Sequence, residues 1–213
     1  MKWRCCGGIS RWNGLRGNKG GAIVRDEILA LRRAIGSVLI RPFSFRVTCR
    51  HEAGHALTAV CLDMGLQRSF AMLRPLCNTN GFCALSPLPE NAKDLVSYSS
   101  RLIAVFVSGV LAEEPWDKPE ACLWRLEQQK DFVVARTLAE TVYRVGRAPP
   151  DLLDKILCAT WDDMNGIGWK AAMSEASKLL QRSYKPVLHP AFCEVASKHG
   201  LSMPSVLAIA GNA

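Results

Sequence analysis

Apolar positions along the chain recur at three- and four-residue intervals over long stretches and run as short strand-like blocks only briefly, which predicts a mainly helical protein with one small β element. Between residues 22 and 40, Ile23, Ile28, Leu31, Ile35 and Leu39 fall at mostly helical spacings with Arg25, Arg32 and Arg33 between them, the pattern of a basic amphipathic helix. Pro42 closes it, and residues 43–48 read as a short extended lead into a second helix over 46–64, which Gly65 stops. Two apolar runs at 69–74 and 81–85 flank the turn-forming stretch 75–80 and predict a β-hairpin. An exposed edge in such a hairpin is suited to pairing with an extended peptide.

The strongest helical signal lies at 92–114, where Leu95, Leu102, Ile103, Phe106, Val107, Val110 and Leu111 mark a buried helix. On it Ser108, Gly109 and Ala112 leave room for a neighbouring backbone to approach. Pro115 and Pro119 bracket a break before a long helix over 120–144. There Asp131, Ala135, Leu138 and Val142 share one face, so an acid heads an apolar stripe and needs a partner inside. Further helices are expected at 149–165, 169–184 and 191–198, with a short terminal piece from Met203; no internal repeat is evident.

Composition turns this pattern into a domain plan. With 213 residues and 49% hydrophobic content the chain can bury a core of ordinary size. Its net charge of +8 is uneven, because residues 1–50 carry 11 Lys/Arg against 2 acids and the remainder is nearly balanced. The first stretch is glycine-rich, basic and free of acids, a composition that buries too little to order itself. The plan is therefore a flexible basic arm at 1–21, a basic helix and linker at 22–44, a catalytic-type domain at 45–200 and a C-terminal tail at 201–213. The arm has no recognisable nucleic-acid module, so no specific nucleic acid is expected as a partner.

The apolar stretches near 35–40 and 102–112 read as too short to span a bilayer, and no signal-peptide pattern opens the chain. A soluble, cytoplasmic protein is expected. Nine cysteines without a CxxC pair fit a reduced setting in which most serve as small core residues, with Cys77 and Cys83 placed to pair only under oxidation.

Chemistry enters at residues 51–55, His-Glu-Ala-Gly-His. Histidines four apart share a helix face and can supply two metal ligands, while the glutamate beside the first can act on a water as general base. Shuffling this composition gives the motif about 0.003 times per chain, so coincidence explains little. A catalytic zinc usually takes a third protein ligand. Residues 58–61 read Thr-Ala-Val-Cys, which removes an extended-histidine motif, and His189 and His199 fit no short-range continuation. The candidates are Glu113, Glu114, Asp117, Glu120 and Asp131, and the inward face of its helix favours Asp131.

The runs HEAGHAL at 51–57, SGVLAEE at 108–114 and KDFVVARTLAE at 130–140 resemble, in order and spacing, the peptidase domain of FtsH-type ATP-dependent zinc proteases. The resemblance covers residues 45–145 well and extends weakly to about 200. It implies a mainly α, zincin-like domain with a small β-hairpin. It also implies one zinc ion on His51, His55 and Asp131, with Glu52 as general base and Glu113 and Glu114 as possible outer partners of the ligands. The expected activity is zinc-dependent hydrolysis of peptide bonds in unfolded or peptide substrates.

The chain departs from that family in lacking a P-loop and space for an ATPase module ahead of the motif, so an unfoldase would act in trans, and a homo-oligomer is an open expectation. Lys130 stands where asparagine is usual beside the aspartate, and Pro115 and Trp116 follow the paired glutamates. The alternative is a catalytically silent zincin-like domain that binds or regulates, docking a partner through its basic N-terminal region.

Overall fold

The computed structural model describes residues 45–73, 79–86, 95–113, 130–144, 148–183 and 185–211. The expected arm, the basic helix at 22–40, the turn at 75–78, residues Glu114, Pro115, Trp116, Asp117, Pro119 and Glu120, and Cys77 lie outside the described residues. Among those described, seven helices accompany a small antiparallel sheet, in agreement with the mainly helical reading.

Helix α1 spans 45–61 and so starts inside the stretch expected to be extended. Its terminus is set by Asp63 rather than Gly65: Met64 N–H donates to Ala59 O at 2.8 Å and Asp63 N–H to Val60 O at 3.2 Å, with Asp63 at φ 51. This is the 6→1, 5→2 pairing of a helix terminus, with aspartate in the left-handed position usually given to glycine. Gly65, at φ 62, instead opens the hairpin, where its carbonyl accepts from Ser86 N–H at 2.7 Å.

The hairpin pairs β1 (Leu66–Leu73) with β2 (Thr79–Leu85), placing Phe70 opposite Phe82 and Ala71 opposite Gly81. A third strand, β3 (Val187–Leu188), covers the other side of β1 at Arg68 and Ser69, giving the order β2-β1-β3. Two residues between Pro186 and Pro190 carry too little pattern to be read as a strand, so β3 was not legible. Among the described residues, β2 is therefore an edge strand.

Helix α2 (Leu95–Glu113) is the spine: α3 (Lys130–Arg144), α4 (Leu152–Met164) and α7 (Pro204–Gly211) all pack on it. Ile103, Val107 and Val110 are completely buried, each stabilising the fold by about 1.5–3 kcal/mol through loss of water contact. At 19 residues α2 is long and apolar enough to cross a membrane, contrary to the expectation from 102–112 alone. Most of that window is buried inside the fold, as in a core helix.

Helices α5 (Trp169–Arg182) and α6 (His189–Lys198) pack on each other and on β1. The expected tail also belongs to the fold. Met203 and Val206 are completely buried, and the Asp163 carboxylate on α4 accepts from the Ser205 and Val206 backbone N–H groups at 3.1 and 3.0 Å, satisfying the exposed donors at the start of α7.

Candidate metal centre

The helical spacing of residues 51 and 55 brings both imidazoles to one side of α1, with ring centroids 4.5 Å apart and planes at 88°. Two glycines let α1 and α2 approach closely there. A β-carbon on Gly54 would lie 2.6 Å from Ser108 O and 2.7 Å from the Ala112 β-carbon. One on Gly109 would lie 2.5 Å from His55 Nε2 and 2.8 Å from His51 Nε2. The room expected at Ser108, Gly109 and Ala112 is thus taken up by α1, and a cradle that a methyl group would fill remains beside the two Nε2 atoms.

Helix α3 completes the cluster. Asp131, in its first turn and facing inward as the periodicity indicates, sets Oδ2 at 3.1 Å from His51 Nε2 and 3.4 Å from His55 Nε2, and the two Nε2 atoms are 2.9 Å apart. Four-coordinate zinc with bonds of about 2.0–2.2 Å would hold its ligand atoms about 3.3–3.6 Å apart, so the triangle is close to that size and an outward shift of a few tenths of an ångström at the Nε2 atoms would meet it. These three residues form the one such group among the described residues.

The outer hydrogen bonds decide what the inner atoms can be. His51 Nδ1 donates to Glu113 Oε1 at 2.8 Å and His55 Nδ1 donates to Val105 O at 2.6 Å. A carboxylate and a carbonyl can only accept, so in each neutral ring the hydrogen sits on Nδ1 and Nε2 presents a lone pair. Two lone pairs and a carboxylate oxygen then face one another at about 3 Å, an arrangement that requires a cation, either an added proton or a metal. Anchoring the distal ring nitrogen on a carboxylate or carbonyl is also how metal-bound histidines are oriented.

All four motif groups are shielded: Glu52 is completely buried, and His51, His55 and Asp131 are exposed by only 4–7%. Burial pushes the Glu52 carboxyl up, and the neighbouring histidines offset this only in part. Both Glu52 oxygens lack a hydrogen-bond partner. For Asp131 burial also acts upward, but where the cation at the centre is a proton on the imidazoles, their Nε2–H hydrogen bonds and charge outweigh it and hold the carboxyl well below the usual carboxylate range.

Among the sequence candidates, the structure brings His51, His55 and Asp131 together, places Glu52 beside them and puts Glu113 behind His51. Glu114 lies outside the described residues. Lys130 is exposed to solvent while its neighbour Asp131 is buried, so its side chain does not share the enclosure. His189 and His199 belong elsewhere, paired with Cys193 at 2.9 Å and Glu175 at 2.8 Å. Sequence reasoning missed Gly81 on β2, where a β-carbon would come within 2.3 Å of Glu52 Oε1. It also missed Val105, since a backbone carbonyl acceptor leaves no residue-type signal.

No protein-family model matches the chain, and no curated protein matches it.

Proposed function

We propose that the chain is a zinc-dependent metallopeptidase, its helices a zincin-like, FtsH-type peptidase domain in which His51, His55 and Asp131 would hold one zinc ion. One observation carries this reading: three lone-pair atoms converge within about 3.4 Å, with both ring N–H groups directed outward to α2, beside a buried glutamate that no donor satisfies. Two imidazole nitrogens and a carboxylate oxygen suit zinc. The bound ion would supply Lewis-acid polarisation of a peptide carbonyl and acidify water at the site.

Glu52 is the proton carrier in this proposal. Burial raises its carboxyl above the usual carboxylate range, which favours its holding a proton between the two transfers. It takes one proton from the attacking water as the water oxygen bonds to the carbonyl carbon, and delivers it to the amine nitrogen as the C–N bond breaks. Glu113 and Val105 keep the imidazoles in one tautomer and orientation. The open side of β2, whose Gly81 backbone runs against Glu52, is suited to pair with the main chain of an extended, unfolded substrate.

The test uses purified chain, bound-metal analysis and cleavage of unfolded casein. One zinc per chain and cleavage abolished by Glu52→Gln with zinc retained would support the proposal; full activity in Glu52→Gln would sink it. The near-complete burial of all four groups favours a second reading, a closed zinc site in a binding or regulatory domain, because structural zinc sites are closed and catalytic ones keep an open position. Stoichiometric zinc without cleavage of any unfolded substrate would select it.

A further inference from the structure

Helix α1 also borders a cleft of about 800 Å³ outside the metal centre, within the size range of ligand sites. Its lining includes Arg46 and Arg50 of α1, Lys170 and Lys178 of α5, and Trp161 of α4. No acid lines it. The four cations are exposed, and among the described residues the lysine and arginine ion pairs engage Arg136, Arg144, Lys155 and Lys198 instead. Four positive charges with no acid beside them among the described residues focus a positive field into one concavity.

The spacing of these charges identifies the kind of anion. Lys170 and Lys178 are eight positions apart on one helix, about 12 Å, and Arg46 and Arg50 are about 6 Å apart along α1. The cations are strung along the walls, whereas a compact phosphate is recognised by donors converging on one point. Along α5 the lining runs from Lys170 to Gln181, about 16 Å, a length that roughly five residues of extended chain would cover. Ser174 and Gln181 offer hydrogen-bonding groups for a main chain, and the partly exposed Trp161 offers apolar surface for a side chain.

We propose that this cleft binds an extended acidic segment of a partner polypeptide, one in which aspartate or glutamate alternates with apolar residues. The site is independent of the metallopeptidase reading, although it is built on the same scaffold: Arg50 precedes His51 and Ala112, another lining residue, precedes Glu113.

The experiment measures fluorescence anisotropy of a labelled peptide alternating glutamate and leucine, with the full chain in roughly 0.15 M salt. A glutamine-for-glutamate peptide, ATP and tripolyphosphate serve as comparisons. Arg46→Gln, Arg50→Gln, Lys170→Gln and Lys178→Gln together should weaken binding of the acidic peptide about tenfold or more. Removing as many exposed charges elsewhere, with Arg136→Gln, Arg144→Gln, Lys155→Gln and Lys185→Gln, should change it by less than about twofold.

Equal losses in the two sets would overturn the proposal as non-specific attraction. Equal binding of the neutral peptide would overturn it too. So would tight binding of ATP or tripolyphosphate without peptide binding, which would mark a phosphate site. Should the fourfold variant lose its helical circular dichroism, Lys178→Glu alone, at an exposed position, carries the test: a fall of about threefold supports the proposal and none overturns it.

Discussion

The backbone of Gly109 lies so close to His55 that a β-carbon there would sit 2.4 Å from the ring Cε1 and 2.5 Å from Nε2. A real β-carbon cannot occupy that position unless the imidazole moves, and His55 is held from the other side by Val105 O. Gly109→Ala should therefore abolish stoichiometric metal binding, although alanine is intrinsically the better helix former by about 1 kcal/mol. Metal analysis beside circular dichroism checks it: a helical protein that still carries one ion per chain would contradict the geometry.

Gly81 holds the corresponding place against Glu52. Gly81→Ala should displace the carboxylate without touching the metal ligands, so bound zinc is retained while casein cleavage falls by about two orders of magnitude, the scale of a lost general base. Retained cleavage would show that Glu52 does not handle the proton.

Glu113→Ala leaves the His51 Nδ1 hydrogen without its carboxylate acceptor and frees the ring to turn. Metal affinity should fall about 10- to 100-fold, read by competition with a zinc chelator, and Glu113→Gln should restore part of it because the amide oxygen can still accept.

Burial pushes the Cys49 thiol up to about 12, with Glu52 adding to the effect, and burial does the same at Cys61. At pH 8 such a thiol is thiolate in roughly one part in 10⁴, against roughly a tenth for a cysteine at the ordinary value of 9.0. Alkylation followed by peptide mapping should label exposed Cys158 first and leave Cys49 and Cys61 protected until unfolding. The sign for stability follows from the raised values. The two thiols' contribution is intact below pH 9.0, where the unfolded thiols are also protonated, and is lost as pH rises towards about 12. Urea unfolding across that range measures the loss.

Asp163→Ala removes the acceptor shared by two backbone donors at the head of α7, at a cost of about 1–3 kcal/mol. Met203→Ala should cost about 2–5 kcal/mol, because its site is fully enclosed. Denaturant midpoints measure both, and near-zero values would mean that residues beyond 200 are the tail expected from sequence.

What the sequence revealed and what it hid divide along physical lines. Asp131 was legible because helical periodicity alone aims it inward, and His51 and His55 because a fixed four-residue offset sets their shared face. Glu113 was named only through the resemblance, and the role of Gly81 depends on how elements distant in sequence come to rest against one another, which no local pattern encodes. Gly65 looked like the end of α1, yet Asp63 took the left-handed position two residues earlier, where an aspartate is tolerated. The cations of the basic cleft escaped notice for the same reason as Gly81, since Arg50 and Lys170 come to line one cleft only in the folded chain.

His51 and Asp131 are separated by 80 positions yet meet at one point. Tying two such distant points of a chain together withdraws loop-closure freedom from the unfolded ensemble, worth about 4–5 kcal/mol for a covalent bridge of that span. On the metal reading, an ion shared by α1 and α3 would act as a removable stitch across the first half of the fold. A chelator would then slacken the same helices that carry the chemistry, and the supply of metal would set the lifetime of the protein along with its activity.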